Sequence, residues 1–541
     1  MTEPRRDTRW WGWGDPEETA ALSPAAESLL NDREILPPDS PERVELADVS
    51  LPEAAPLPEE IIRIVGEGSV FTGREDRIRH AAGQSYLDVL AKRSGDLNHA
   101  PDAIVVPETK EQILPLLEAC SRLGIAVVPF GGGTSVVGGI TPLAGAHDRV
   151  ISLDMVSLQT VDVDERSLTA RLGAGLRGPE AEALLGARGY TLGHFPQSFE
   201  YATIGGFAAT RSAGQSSSGY GRFDSLVSSI RMVTPSGEIS TLATPHTAIG
   251  PSLREVVVGS EGIFGVIPDV DVRIRPAPAR KRYEAWIAPG FEEGNEIIRG
   301  MAQSDSLPTI ARVSDEEETE VNLTMALPGG TAGDLFRRYL KIRGRGAGAL
   351  MITGFEGTAD QVRIQRASTA KALRKGGAIY LGQNAGNGWA KGRFHGPYFR
   401  ETLLDRGVLV ETLETSQLWG DHRALYAGVR AAVKRAMANR RMTGVVMCHL
   451  SHAYRDGASL YFTIIASPGI DGGAASWPSI KEAACRAIQE HGGTLSHHHA
   501  TGTDHAPYLE GEIGQVGTGA LAALKEQFDP AGVMNPGKIL S

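Results

Sequence analysis

The stretch IAVVPFGGGTSV, residues 125–136, limits what this chain can fold into more than any other part of the sequence. A β-branched run that ends in three adjacent glycines reads as a strand delivering its chain to a tight turn. With no Cβ in the way, the exposed backbone N–H groups of such a turn can converge on phosphate oxygens, and Thr134 and Ser135 add hydroxyl donors. The turn lacks the Gly-Lys-Ser/Thr ending of a P-loop and the G-x-G-x-x-G spacing of the dinucleotide fold. Taken alone it is either a plain turn or a phosphate cradle. Its context adds direction, because PDAIVVPETKEQILPLLEACSRLGIAVVPFGGG reads strand, amphipathic helix, strand and glycine turn, the outline of a right-handed βαβ unit.

At 541 residues the chain exceeds one ordinary core, so several units sharing an interface are expected. The first 96 residues, opening Pro- and Glu-rich with an aromatic island at Trp10, Trp11 and Trp13, read as a mainly irregular and helical segment wrapping a core made elsewhere. The island reads as a buried anchor rather than a ligand site. Residues 97–279 form the first folded unit. After the βαβ outline its short β-rich segments RVISLDMV, SLTARLGAGL, SLVSSIRMVTPSGEI and GVIPDVDVRIRP suggest a mixed sheet, unlike a regular doubly wound one. Residues 280–541 alternate longer helical stretches with strands such as GALMITGFEG and ASLYFTIIAS, a second α+β unit.

The formal charge of −11 and the absence of a basic run argue against nucleic-acid binding. No stretch reaches the roughly 20 apolar residues of a membrane span. The amino terminus carries no secretory h-region. Three scattered cysteines suit reduced thiols, and a cytoplasmic protein is the expectation.

Two further segments are built mostly of small residues, PQSFEYATIGGFAATRSAGQSSSGYGRFDSLV and GSEGIFGVI, as though their backbone surrounds something flat and polar. Together with the glycine turn they resemble the PCMH-type FAD-binding domain of vanillyl-alcohol-oxidase-like flavoenzymes. RWWGWGD, GGGTSV, FPQSFEYATIGGF with TRSAG, IRMVTPSGEI, ETLETSQLWG, LSHHHATG and FDPAGVMNPGKIL, in that order, narrow the resemblance to the alkyldihydroxyacetonephosphate synthases, also called alkylglycerone-phosphate synthases. RWWGWGD and SHHH are the parts most specific to them.

That resemblance implies an α+β protein with a two-subdomain PCMH-type FAD-binding domain, an α+β substrate or cap domain and a C-terminal FAD-linked oxidase-like segment. It implies FAD contacts at Pro129, Phe130, Gly131, Gly132, Gly133, Thr134 and Ser135. Further contacts are implied at Gln197, Ser198, Phe199, Glu200, Tyr201, Ala202 and Thr203, and at Thr210, Arg211, Ser212 and Ala213. The last set is Glu261, Gly262, Ile263, Phe264, Gly265, Val266 and Ile267. No His follows the glycine turn where covalent members attach the flavin, so the FAD is expected to be noncovalent. The implied reaction displaces a fatty acid from acyl-dihydroxyacetone phosphate by a fatty alcohol, making an ether bond without net redox change.

In the second unit the resemblance singles out Arg312, Arg400, Tyr461 and the run His497, His498, His499. Read bare, such an Arg is a surface cation and such a Tyr a core residue with a satisfied hydroxyl. The resemblance makes Tyr461 the general acid and base at the reacting carbon, with the three histidines assisting it, and makes Arg400 and Arg312 substrate- or flavin-site cations. On a strand, His497 and His499 would share one face with His498 opposite. A metal site would need another ligand such as His505 to fold back, so no metal is expected. A structural polar loop is the second reading, and an anion or proton-transfer site is the favoured one. The rival function is an FAD-dependent oxidoreductase acting on D-2-hydroxy acids or alcohols. Those enzymes carry GDGN and GEHGIG-like segments where this chain has HLSHAYRDGASLYF and LSHHHATG. A homodimer and peripheral membrane contact are further implications, although no clear amphipathic membrane helix stands out. ALPGGTAG, residues 326–333, is a candidate entrance element.

Overall fold

The βαβ outline is realised by strand Ala103–Val105, helix Ile113–Leu123 and strand Ile125–Phe130. The helix buries Ile113, Leu116, Leu117 and Cys120 on one face and stops at Gly124, whose φ of 65° costs a glycine little. The computed structural model describes residues 2–18, 21–327 and 331–540. Residues 328–330 of the candidate entrance element lie outside the described residues.

The first unit holds two sheets, one mostly parallel and one antiparallel, where the dense spacing of its strands suggested a mixed sheet. Strands Ala103–Val105, Arg149–Asp154 and Ile125–Phe130 lie parallel, with Val70–Phe71 antiparallel at the edge. Val161–Asp164, Thr169–Gly173, Asp269–Arg273, Val227–Thr234 and Gly237–Ser240 form a separate antiparallel sheet. The reason lies in the connections. Parallel neighbours need a long crossover, which the helix and the glycine loop provide, whereas short turns such as 165–168 and 235–236 return the chain antiparallel.

The second unit is a seven-stranded antiparallel sheet, ordered Ile379–Gly382, Arg280–Ala288, Ala349–Gly357, Ile310–Ser314, Gly444–Leu450, Gly457–Ala466, Leu409–Leu418. Helices Phe291–Gln303, Ala359–Lys375, His422–Asn439 and Gly473–Glu490 pack on one face in one continuous core. The other face is covered at one end by Val410, Met447 and Ile465 against Leu30, Val321 and Leu403, and at the other by Ala285, Ile310 and Ile352. Its middle is left looking at the first unit.

The chain's end does not stay with the second unit, as a single boundary near 280 would have it. Helix Leu509–Phe528 lays Leu521, Leu524 and Phe528 on the core of the antiparallel sheet. Beyond it, Val127 donates to Val533 O and accepts from Asn535 N, both at 2.8 Å, extending the parallel sheet. At the other terminus, Asp7 pairs with Arg177, Arg5 with Glu180 at 2.9 Å and Arg6 with Asp76 at 2.9 Å. No helix among the described residues is long and apolar enough to cross a membrane. Helix Thr331–Ile342 does leave Leu335, Tyr339 and Ile342 exposed on one side, an amphipathic face that sequence reading missed.

Candidate functional site

A cavity of about 620 Å³ separates the two units, within the usual range for a cofactor site. Its floor is backbone. Residues 129–135 of the glycine turn line it together with Ala174, Ala202, Gly205, Gly206, Gly262 and Gly265. The turn is held close to the second small-residue segment: a Cβ on Gly132 would sit 2.0 Å from Tyr201 O, and one on Gly131 would sit 2.3 Å from Thr203 Oγ1. Thr203 caps the helix Ile204–Ala209 that follows. From behind, Asn535 Nδ2 donates to Gly139 O at 3.0 Å and Glu261 O at 2.7 Å. Glu261 itself adopts φ 49° and accepts from Thr501 N at 2.7 Å and Gly502 N at 2.8 Å, while burial pushes its carboxyl up to about 7.

Gly132→Ala therefore forces a methyl group into backbone. Such overpacking costs about 1–3 kcal/mol, so affinity for the cofactor is expected to fall by roughly tenfold or more. The ratio of flavin to protein absorbance after gel filtration checks it.

The roof is the uncovered middle of the seven-stranded sheet. Alternation along each strand decides which side chains face the cavity: Arg312 from one, Met447 and His449 from the next, Tyr461 and Thr463 from the third, Val410 and Thr412 from the fourth. Register then aligns them, because His449 pairs with Tyr461 and Tyr461 with Glu414. The His449 and Tyr461 rings stack with centroids 4.8 Å apart. Burial pushes the Tyr461 phenol up to about 12, so it stands protonated at neutral pH. Arg312 does not reach out as a free cation. It donates to Glu318 Oε1 at 2.5 Å, and Glu318 Oε2 lies 3.0 Å from His449 Nδ1. Burial works against the Glu318 charge, but His449 and Arg312 outweigh it and hold the carboxyl well below the usual range.

Arg400, on helix Gly396–Asp405, is different. Nη1 donates to Gln84 O at 2.6 Å, whereas Nε and Nη2 are buried in the cavity wall without a hydrogen-bond partner, Nη2 lying 3.9 Å from the buried Glu411 carboxylate on the same wall. N–H groups left without a hydrogen bond in a buried site can still take an anionic group, even with a carboxylate nearby.

The histidine run does not lie on a strand. Residues 497–499 form a bend in which three successive backbone N–H groups converge on the Glu414 carboxylate at 2.8–2.9 Å, with Ser496 Oγ adding a fourth donor at 2.8 Å. Burial opposes the Glu414 charge, yet His498 and the neighbouring histidines hold it well below the usual carboxylate range. The bend sends His498 and His499 into the large cavity, their rings 6.1 and 5.4 Å from that of Tyr461, and turns His497 away. Burial lowers His499 to about 3, leaving a neutral imidazole beside the phenol. Ring nitrogens of His452, His497 and His498 lie within 4.8 Å of one another, a spacing that could hold a metal ion. His497 Nε2 already meets the Tyr454 hydroxyl at 2.7 Å, and His452 Nδ1 meets Ser217 Oγ at 2.7 Å. His505, far from folding back as a ligand, bonds Ala500 O at 2.9 Å.

Most of the residues expected at the cofactor line this cavity. Phe199, Glu200, Tyr201, Arg211, Ile263 and Phe264 do not. Phe199 stacks on Phe394, Glu200 bonds Tyr398, Tyr201 packs edge-on to Trp13, and Ile263 and Phe264 belong to the core. A contiguous stretch cannot turn every side chain to one ligand. Sequence reading missed His449, Glu318, His452 and Glu414. The alternation in GVVMCHLSH and ETLETSQL was the available signal. Trp13 is an anchor as expected, but it also lines the cavity with a buried, unpartnered Nε1.

A floor of small residues, a backbone turn with free approach and a guanidinium with two unbonded N–H groups fit a flat, phosphate-bearing cofactor. A model described as FAD binding domain matches residues 101–243, and one described as FAD linked oxidases, C-terminal domain, matches 277–539. The chain is 31% identical over 494 residues to an alkyldihydroxyacetonephosphate synthase of Trypanosoma brucei brucei, covering 90% of this chain and 80% of that one. It is 30% identical to the synthase of Dictyostelium discoideum, covering 86% and 77%. A solved structure of alkyldihydroxyacetonephosphate synthase superposes with a TM-score of 0.83 at 27% identity, covering 98% of each chain.

Proposed function

The chain belongs to the alkyldihydroxyacetonephosphate synthase family of FAD-dependent enzymes, and from that premise we propose that it exchanges the acyl group of acyl-dihydroxyacetone phosphate for a fatty alcohol. The carbon–oxygen bond to the acyl group breaks with its electron pair on the departing carboxylate. A new carbon–oxygen bond to the alcohol forms, the alcohol proton is released, and no net oxidation occurs. The observation that carries this reading is the convergence of Tyr461, His498, His499 and Arg400 on the same cavity that the glycine turn floors.

Bound FAD would rest on residues 129–135 and the small-residue segments and would supply its N5 as the nucleophile that holds the reacting carbon. The protein's own groups do the rest. Tyr461 moves the proton at the carbon that bears the acyl group, as general acid and base. His499 and His498, packed against it, keep that site dry, and His499 offers a neutral ring nitrogen for relay. Arg400 presents its open Nε and Nη2 to the departing carboxylate, whose two oxygens match that fork. Arg312 acts at one remove, fixing Glu318 and thereby His449 under the Tyr461 ring.

Val321, Met325, Phe399, Val410, Met447 and Ile465 make part of the cavity wall apolar, which suits acyl and alkyl chains. Val321 and Met325 lie on helix Glu316–Ala326, the helix before the exposed Leu335, Tyr339 and Ile342. Arg337, Arg338 and Lys341 alternate with those apolar residues, a pattern suited to peripheral contact with lipid. A homodimer belongs to the same reading, with sedimentation as its check.

The test is anaerobic incubation of the yellow protein with palmitoyl-dihydroxyacetone phosphate and labelled hexadecanol, following flavin absorbance and labelled ether. Ether product without lasting flavin reduction is expected. No product, with bleaching by D-lactate or glycolate, would move the protein to the oxidoreductases.

A further inference from the structure

Behind the histidine run lies a second cavity, of about 270 Å³, with mostly polar walls. It shares Thr210, Glu261 and His498 with the large cavity, so His498 stands between the two. Arg211 and Arg222 both line it, along with His497 and Ser416. Both guanidinium groups have partners on the side away from the cavity, yet one N–H is left without a hydrogen bond. Arg222 Nη2 donates to Arg211 O at 3.1 Å, but Nε is buried with no hydrogen-bond partner, 3.4 Å from Asp224 Oδ1. Arg211 Nη1 donates to Glu255 Oε2 at 3.0 Å and lies 3.5 Å from the same Asp224, and its Nη2 donates to Glu255 O at 2.7 Å. Those two acids stand outside the cavity. The one carboxyl on its wall, Glu261, is occupied by Thr501 and Gly502 N–H groups. Two arginines and a set of hydroxyls around a small, partly open pocket make a site for a compact anion.

A chain of contacts links this site to the reaction centre. Tyr454 reaches His497 Nε2 at 2.7 Å, and His497 Nδ1 lies 2.9 Å from His498 Nδ1, whose ring lies over Tyr461. His498, Thr210 and Glu261 are the walls the two cavities share, so the second cavity adjoins the reaction centre. We propose that the second cavity binds the phosphate monoester of the substrate, with Arg222 and Arg211 as its cationic ligands and His498 between the phosphate and the reacting carbon. The identity of the substrate rests on the synthase reading; the anion site rests on the cavity itself. Arg211, expected among the cofactor contacts, thereby acquires a different partner.

The test uses flavin-replete protein in two arms. In the first, inorganic phosphate and dihydroxyacetone phosphate are titrated calorimetrically into the wild type, Arg222→Gln and Ser416→Glu. In the second, kcat/KM is compared for palmitoyl-dihydroxyacetone phosphate and for palmitoyl-dihydroxyacetone, which lacks the phosphate. Ser416→Glu keeps both arginines and places a carboxylate in the cavity, so it decides the matter if Arg222→Gln does not fold. Both substitutions are expected to weaken phosphate binding, and to cut the preference for the phosphorylated substrate, by roughly tenfold or more, mainly through KM, the scale of one charge-assisted hydrogen bond. Folded variants that keep the full preference and bind phosphate like the wild type would overturn the site while leaving ether synthesis standing. Phosphate binding lost in both variants of an enzyme that makes no ether would uphold the site and sink the synthase reading instead.

Discussion

Replacing Tyr461 with phenylalanine lowers ether formation by about a hundred- to ten-thousandfold, the range for loss of a general acid–base group, while the protein stays yellow and folded. The ring is the structural part of this residue and the hydroxyl the chemical part. Phenylalanine retains the stack on His449 at 4.8 Å and the edge contact with His499, so the roof of the cavity persists. What goes is the phenol that burial holds near 12, a proton donor ready at neutral pH. The Arg400 guanidinium favours the phenolate, but burial and the Glu411 and Glu414 carboxylates outweigh it and keep the phenol protonated. The checks are turnover, flavin content and solvent-proton exchange into the reacting carbon. Full turnover with FAD bound would remove Tyr461 from the chemistry.

Glu414→Ala is expected to destabilise the protein by about 3–5 kcal/mol, the cost of taking one partner from a buried charged network, and to abolish activity with it. Three backbone N–H groups at 497–499 and the Ser496 hydroxyl depend on this one carboxylate in the interior. Truncation leaves those four donors without their charged acceptor and loosens the bend that presents His498 and His499. The pH dependence has a definite sign. Because the folded carboxyl is held well below its ordinary value, its stabilisation is complete above that ordinary value. It erodes as pH falls below it, and is gone once pH passes the depressed folded value. The wild type should therefore lose stability on acidification more steeply than Glu414→Ala. Thermal midpoints of both proteins between neutral and acid pH measure the difference, and parallel curves would show that the carboxylate is not charged in the fold.

Some of this architecture is written locally. The βαβ outline needs only a hydrophobic strand, an amphipathic helix and a glycine turn, all carried by adjacent residues. Helices 359–375 and 422–439 and strands 349–357 and 457–466 follow from their periodicity. The glycine turn and the small-residue segments could be read as a cradle because an absent side chain is visible in a sequence. That Tyr461 and the histidine run meet at one place came from the resemblance and not from their spacing.

Tertiary structure decided the rest, because it depends on register and on pairing between distant residues. Nothing near Glu414 in sequence shows that its carboxylate will be wrapped by the backbone of residues 497–499. Nor does anything near Arg400 show that it will stand 3.9 Å from the Glu411 carboxylate with two N–H groups unbonded, while Arg312 is tied to Glu318. Two arginines that read as parts of a small-residue loop became the wall of a second cavity only when the bend at 497–499 closed against them. Local propensity determined which segments are strands, helices and turns; which side chains share a face across strands, and which charges remain unspent, was settled only when the two units and the returning C-terminal segment packed together.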